Sequence, residues 1–376
     1  MSSIDVKPVN GRAEKQIFLT FPWKIYREDP LWVPPLLPER KKLLDPRQSE
    51  YLSHAEACFF IAWRGNQPVG TISAAQDFAN NQLRNSRECI IGFFETIDDP
   101  EVANALFDAA AKWAIGRGLH KLFGPFNFDY EDGYGVLIEG RDRPPALLCG
   151  HTPPYYQAFF ESYGFTPARG DNLAFALEIR KTPEIQSLFQ MAERARATRP
   201  YLIRGARLNE WDQEIDRVHF LLNKALAHLP DFTPWRREAV EKLFAPFRDL
   251  ADPELVLFAE ADGQVVGFFP GIPNLNEAFL HANGLRYPWN YLSLFRRIHR
   301  HTDCLAVKSV LVLPEYWGSG LAILLFSELY QRAAARGYKW MDLSLTSEDN
   351  PRTPVLAKRF GAKIYKRFRV FTKDIG

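Results

Sequence analysis

An internal repeat constrains the fold of this 376-residue chain more than any other feature. Ala57-Cys-Phe-Phe-Ile-Ala-Trp-Arg-Gly-Asn-Gln-Pro-Val-Gly reads as strand, tight polar turn and strand, and Leu255-Val-Leu-Phe-Ala-Glu-Ala-Asp-Gly-Gln-Val-Val-Gly does the same. Gly70 is matched by Gly267 and Gly164 by Gly361, both 197 residues on, while the helix ends Arg117-Gly118 and Arg336-Gly337 lie 219 apart. Two insertions reconcile the spacings: about 22 residues before one helix of the second half, and a similar number between Gly124 and His151. A period this long implies two copies of one fold and not a solenoid. Each copy reads as strand, helices, hairpin, strand, helix, strand, helix and two final strands, an α/β (α+β) unit with a mixed central sheet flanked by helices. The boundary is expected in the charged helical stretch Lys181 to Arg199, giving a first copy over 1–180, a linker helix over 181–200 and a second copy over 201–376.

The length supports two separate cores. No apolar run approaches the roughly 18 residues needed to cross a bilayer, and Met1-Ser-Ser-Ile-Asp-Val-Lys lacks the pattern of a signal peptide. Cys58, Cys89, Cys149 and Cys304 have no metal or redox spacing, so reduced, buried thiols in a cytoplasmic protein are expected, with no metal. A net charge of +2 excludes neither acidic nor basic partners. The 27 prolines and 14% aromatic content concentrate in segments such as Asp29-Pro-Leu-Trp-Val-Pro-Pro and Thr152-Pro-Pro-Tyr-Tyr. Such segments are either coil wrapped over a core or a greasy wall for an acyl chain.

The clearest chemical signal lies in the second copy. An apolar strand over Leu305 to Leu313 stops at Pro314, turns through Gly318 and Gly320, and feeds a helix predicted over 318–336. A glycine turn at a helix N-terminus offers unpaired N–H groups and the positive end of the helix dipole, a site for phosphate. Glycine lets a ligand approach such a backbone closely. At the matching place the first copy reads Phe94-Glu-Thr-Ile-Asp-Asp-Pro-Glu, with no glycine and with Asp98, Asp99 and Glu101 crowding the helix start. Those carboxylates cap the helix and would repel a pyrophosphate, so only the second copy is expected to bind one.

Val312, Pro314, Gly320 and Ala322 match the pattern V-x-P-x-x-Q/R-x-x-G-x-G/A, and the stretch resembles motif A of the GNAT acyltransferases, with Trp317 where that family has Gln or Arg. Downstream, Asn350, Leu356 and Gly361 resemble motif B, with Ala357 in place of the family's usual Tyr proton donor. The resemblance implies tandem GNAT-like domains and an acyltransferase that takes acyl-CoA as donor and passes the acyl group directly to an amine. It places coenzyme A on Leu311, Val312, Leu313, Trp317, Gly318, Ser319, Gly320, Leu321, Ala322 and Asn350. Acceptor-side candidates are Asp129, Glu131 and His151 as base, and Tyr155 or Tyr156 as replacement proton donor. The alternative role for that loop is a turn whose Asp and Asn side chains bond their own backbone, and for His151 a structural one. Glu95 lies on the strand where GNAT enzymes often place a base, but capping is its expected role.

Over the full length, Gly124-Pro-Phe-Asn, Pro153-Pro-Tyr-Tyr, Asn283-Gly284 and Val312-Leu-Pro-Glu-Tyr resemble a group of long bacterial two-domain GNAT-like proteins that includes or resembles bacterial ceramide synthases. That resemblance implies a long-chain acyl donor and a sphingoid or other lipid amine; a non-catalytic acyl-CoA binder is the alternative. No nucleic-acid motif occurs. In the second insertion, Asn274 to Ala282 and Trp289 to His301 read as helical. Trp289, Leu292, Phe295 and Ile298 make an apolar stripe flanked by Arg296, Arg297, His299, Arg300 and His301. Such a helix either packs on its own domain or lies peripherally on an anionic membrane.

Overall fold

The computed structural model describes residues 3–128, 133–228, 232 and 234–376. Its strands, in chain order, are β1 Ile4–Pro8, β2 Ala55–Arg64, β3 Gln67–Asp77, β4 Glu88–Thr96, β5 Lys121–Gly124, β6 Val136–Glu139, β7 Thr166–Pro167 and β8 Asn172–Glu178. The second half supplies β9 Leu202–Gly205, β10 Val256–Ala261, β11 Gln264–Pro273, β12 Cys304–Val307, β13 Leu311–Val312, β14 Trp340–Ser347, β15 Lys363–Arg369 and β16 Phe371–Asp374. They form two mixed sheets, ordered β1-β2-β3-β4-β5-β16-β7 and β6-β15-β8-β14-β12-β11-β10-β9, with β13 paired to β11.

The matched segments of the repeat do matched jobs. A Cβ on Gly70 would come within 2.7 Å of Leu106 on helix Pro100–Ile115, and one on Gly267 within 2.8 Å of Leu325 on helix Leu321–Ala335. In each copy, glycine therefore lets the crossover helix sit close on the sheet. Gly164 and Gly361 end the short helices Tyr156–Ser162 and Thr353–Arg359 in the left-handed region, at φ 91° and 85°. The parallel pairs β4–β5 and β12–β14 are joined by the two crossover helices. The charged stretch after β8 forms helix Pro183–Thr198, close to the expected 181–199.

The sheets do not follow the expected division at 181–200. Strand β8, read as the last strand of the first copy, lies between β14 and β15 in the second sheet, and the C-terminal β16 fills the equivalent slot between β5 and β7 in the first. The two copies thus exchange their final strands, and β6 from the first-half insertion adds to the edge of the second sheet. Where the exchanged segments cross, Ala168 N donates to Val370 O at 2.9 Å. Arg369 grips the buried Asp171 in a fork, Nε to Oδ1 at 2.9 Å and Nη2 to Oδ2 at 3.0 Å. Because all but its last residue is buried, β8 is a full member of the second core. Propensity and pattern specify a strand but not its sheet, and this is why the boundary reads differently in sequence.

Two expectations from this geometry concern folding. The full chain should unfold in one transition, while fragments cut at residue 180 or 200 should fail to unfold cooperatively, each lacking a central strand; denaturant melts of the chain and fragments check this. Arg369→Ala should lower stability by about 2 kcal/mol, since it strips a charge-assisted fork from a buried carboxylate.

Candidate functional site

Each crossover creates a fork, because the two parallel strands separate past their last paired rung. In the first copy the rungs end at Ile90↔Phe123. Beyond them the chain after Gly124 folds back into the gap. Phe126 N donates to Ile91 O at 2.8 Å, and Phe93 N donates to Asn127 Oδ1 at 2.9 Å. A Cβ on Gly92 would lie 1.5 Å from Phe126 O, so backbone presses on backbone there. The Gly124-Pro-Phe-Asn segment therefore plugs the first fork with the protein's own chain.

In the second copy the rungs end at Val307↔Leu343. The strand predicted as continuous over 305–313 is broken. Lys308 turns inward, Ser309 takes φ 50°, and β13 leaves to pair with β11. Phe93 has the same left-handed kink at φ 47° in the first copy. Here, however, Ser309 and Val310 are exposed and the fork stands open. Lys308 and Ser344, the first residues past the last rung, meet beneath it. Lys308 Nζ donates to Asp342 Oδ2 at 2.7 Å and also bonds Ser344 Oγ, which itself donates to Asp342 Oδ2 at 2.6 Å. Tyr365 OH donates to Asp342 Oδ1 at 2.7 Å, reaching across β8 where the small Ala176 stands opposite Asp342. Cys149, from the first half, brings its Sγ to 3.2 Å from Ser344 Oγ. Burial works against the Lys308 charge, but Asp342 outweighs it and holds the ammonium pKa up; burial pushes the Cys149 thiol up.

The glycine turn sits beside this fork. Helix Leu321–Ala335 starts three residues later than predicted, after Gly320 at φ 83°, and no side chain of its N-cap closes its N-terminus. Trp317 Nε1 donates to Val312 O at 3.0 Å, which fixes the turn to β13. The Arg352 guanidinium lies 4.8 Å from the Trp317 ring and His228 packs edge-on at 4.7 Å. The corresponding helix of the first copy is closed as expected: Asp99 Oδ1 accepts from Glu101 N at 2.9 Å, and its other oxygen pairs with Arg64 at 2.5 Å.

Residues 221–362 match the Acetyltransferase (GNAT) family. Along its length the chain is 30% identical to a bacterial ceramide synthase of Caulobacter vibrioides, covering 100% of this chain and 98% of that protein. It is 28% identical to Protein YghO of Escherichia coli, covering 98% and 95%. The chain belongs to the GNAT family. Among solved structures, a tandem GNAT protein from the clavulanic acid biosynthesis pathway superposes with TM-score 0.58 at 12% identity, covering 100% and 99% of the two chains. A GCN5-related N-acetyltransferase from Sphaerobacter thermophilus gives 0.53 at 13%, covering 99% and 95%. At such identities the likeness is one of fold, and the fold is that of tandem GNAT units.

Against this GNAT frame the sequence-predicted residues separate into two groups. Leu311, Leu313 and Leu321 bury their side chains, leaving only backbone to face a ligand, whereas Val312 and Ala322 are partly buried. Ser319 Oγ donates to Tyr316 O at 2.7 Å and accepts a long bond from Leu321 N, so it braces the turn. Asn350 Oδ1 accepts from Arg352 N and Thr353 N at 2.9 and 3.0 Å, which caps the next short helix. Close approach of a ligand is not what Gly320 is needed for. A Cβ on Gly320 would meet Ala195 of helix Pro183–Thr198 at 2.6 Å, so this glycine serves helix packing as well as a positive φ; beside Gly318, at φ 80°, there is open space.

The acceptor-side candidates gather in the first copy. Tyr155 OH donates to Thr96 O at 2.9 Å, and Tyr156 OH donates to Glu95 Oε2 at 2.7 Å while accepting from Thr96 N at 2.8 Å. His151 Nε2 lies 2.7 Å from Asp29 Oδ2, and its carbonyl accepts from Tyr26 OH. Burial pushes the Glu95 carboxyl up to about 7, although bonds from Tyr156 and Tyr26 favour its ionised form. Glu95 is not a helix cap, since Asp99 fills that role. Asp129 and Glu131 lie outside the described residues. A separate cleft of about 790 Å³ between Arg141, Arg143, Arg180 and Lys363 shares only Tyr365 with the fork group. Sequence reading missed Lys308, Asp342, Ser344 and Arg352. A usable signal existed, because Lys308 and Asp342 are opposite charges interrupting two apolar strands of one crossover.

Gly318→Ala should cost about 1 kcal/mol, the ordinary penalty for left-handed backbone. Gly320→Ala should cost clearly more, because the same penalty adds to a clash with Ala195; paired denaturant melts check the order. For Glu95 the folded pKa lies above the ordinary 4.5, so the folded state holds the proton more tightly. Its contribution to stability is therefore present at low pH and lost as pH rises through about 7. The melting temperature of Glu95→Gln should gain on that of the unchanged protein between pH 5 and 8; a constant difference would contradict the raised pKa.

Proposed function

We propose that the chain is an acyl-CoA-dependent N-acyltransferase whose donor binds the second copy. The observation that carries this reading is the contrast between the copies. The second has exposed Ser309 and Val310 at its fork beside a glycine turn whose helix start carries no capping carboxylate, and the first has its fork plugged and its helix capped by Asp99.

In this reading the pyrophosphate lies over Trp317 to Ala322, held by backbone N–H groups, the helix dipole and the Arg352 charge. The pantetheine arm runs along Ser309 to Leu313, and the thioester reaches the fork. The acceptor nitrogen attacks the carbonyl carbon, the C–S bond breaks, and the thiolate leaves as free thiol once it gains a proton. Positioning and stabilisation of the oxyanion by backbone donors supply most of the rate. The amine proton leaves through the fork group, where the Ser344 hydroxyl is already oriented by Asp342 and Tyr365 provides a phenol in place of the tyrosine that Ala357 lacks. Asp129 and Glu131 are kept, on the sequence alone, as candidates for the base toward the acceptor amine. His151, Tyr155 and Tyr156 would support that side from the first copy. The full-length similarity to a protein named bacterial ceramide synthase favours a lipid amine as acceptor and a long-chain acyl donor.

Free thiol release from acyl-CoA, followed with a panel of amines and chain lengths, tests the reading. Ser344→Ala should lower kcat by about 10²-fold, and Trp317→Ala with Arg352→Ala should raise KM for acyl-CoA while largely sparing kcat. Ala357, at the family's tyrosine, favours a second reading in which acyl-CoA is bound without turnover. Binding without thiol release for every amine would decide for that reading, and a preference for acetyl-CoA over long-chain donors would remove the lipid acceptor.

A further inference from the structure

Helix Pro288–Ile298 carries its apolar stripe outward. Trp289, Tyr291, Leu292 and Phe295 are 65%, 51%, 52% and 72% exposed. The inward face is tied to the protein by Ser293 Oγ, which donates to His281 O at 3.1 Å, and by Ile298, which packs against a small cluster that contains Leu147 and Ala306. Buried Asn290 closes the helix's own N-terminus, accepting from Tyr287 N at 3.0 Å. Of the stripe read from sequence, Trp289, Leu292 and Phe295 face outward, while Ile298 packs on the domain. The helix contains no acidic residue, and its C-terminal end runs into Arg296, Arg297, His299 and Arg300.

Four exposed large apolar side chains in one short helix, bordered by arginines, are costly in water and suited to one environment. The headgroup boundary of an anionic bilayer takes aromatic and aliphatic side chains below the surface and arginines among the phosphates. A contact between protein copies is a poorer match, because the centre of such an interface is depleted in like charge and the basic run here would face its own copy. The position matters as well. The insertion bearing the helix clamps the first half through Trp23 Nε1 to Asn283 Oδ1 at 2.7 Å and Asn276 Nδ2 to Pro145 O and Ala146 O, both at 3.0 Å. Ile298 packs against the cluster that contains Ala306, two residues before Lys308, which ties the helix to the strand leading into the fork.

We propose that helix Pro288–Ile298 docks the protein on an anionic bilayer surface, with Trp289, Leu292 and Phe295 inserted, and holds the fork at the surface from which a lipid amine is delivered. Docking stands on the exposed helix; only the delivery of acceptor rests on the acyltransferase reading.

The test uses the full chain with vesicles of phosphatidylcholine alone or with one third phosphatidylglycerol. The unchanged protein should co-sediment with the anionic vesicles, and high salt should weaken the binding. Leu292→Glu/Phe295→Glu should reduce the bound fraction about tenfold with an unchanged thermal melt, since both side chains are already in water. Arg296→Glu/Arg300→Glu should erase the preference for anionic vesicles. Protein that stays in the supernatant with both vesicle types, or an apolar-face variant that binds as well as the parent, overturns the proposal. So does a lipid-free dimer by ultracentrifugation that the variant converts to monomer, which would make the face an interface between copies. Thiol release with a water-soluble amine, measured without vesicles, should be equal in parent and variant. Loss of that release for every amine while vesicle binding persists would sink the acyltransferase reading and leave docking intact.

Discussion

The exchange of β8 and β16 is the constraint on which the rest of the molecule depends. Each strand completes a sheet begun by the other half of the chain, and the two crossing segments are tied by Ala168 to Val370 and by Arg369 to Asp171. A strand inside a sheet brings two ladders of hydrogen bonds and two buried faces, so removing it opens a core instead of trimming an edge. The exchange also sets the chemistry of the open fork. It places Ala176 opposite Asp342, which leaves the space that Tyr365 crosses to reach that carboxylate.

Two copies with one topology have diverged at the same two points. At the fork, the first copy fills the gap with Phe126 and Asn127, and the second leaves Ser309 and Val310 exposed above a buried group of Lys308, Asp342, Ser344 and Tyr365. At the crossover helix, the first copy places a carboxylate where the second places glycine. The Asp99 carboxylate thus already meets the positive end of the first helix dipole, while Gly320 brings no charge to that of the second. What remains in the first copy is a network of Glu95 and Thr96 on β4 with Tyr155 and Tyr156 at the start of helix Tyr156–Ser162. Around it, Tyr26, His151 and Asp29 fasten the proline-rich coil to the sheet.

The insertions bind the halves together. The segment after Pro144 supplies Cys149 to the second fork and carbonyls to Asn276, and the 273–301 insertion returns Asn283 to Trp23. Among the described residues no helix is long and apolar enough to cross a membrane. The apolar face of helix Pro288–Ile298 is a surface feature, carried on the insertion that this clamp holds.

Local signals carried far in this chain. The sequence by itself determined the repeat, the crossover helices and their glycine stops, the capped and uncapped helix starts, and the family to which the glycine turn belongs. Each of these rests on residues a few positions apart, whose spacing is a direct consequence of backbone geometry. Only the tertiary structure decided which sheet β8 and β16 join and that Gly320 answers to Ala195. It also decided that Asn127 plugs one fork while Cys149 and Tyr365 complete the other, and that the stripe of helix Pro288–Ile298 points outward. These depend on partners outside any local window, such as Asp342 for Tyr365, 23 residues away, and Ser344 for Cys149, 195 away, and a pattern of apolar and polar residues fixes which face of an element is buried without naming what will cover it.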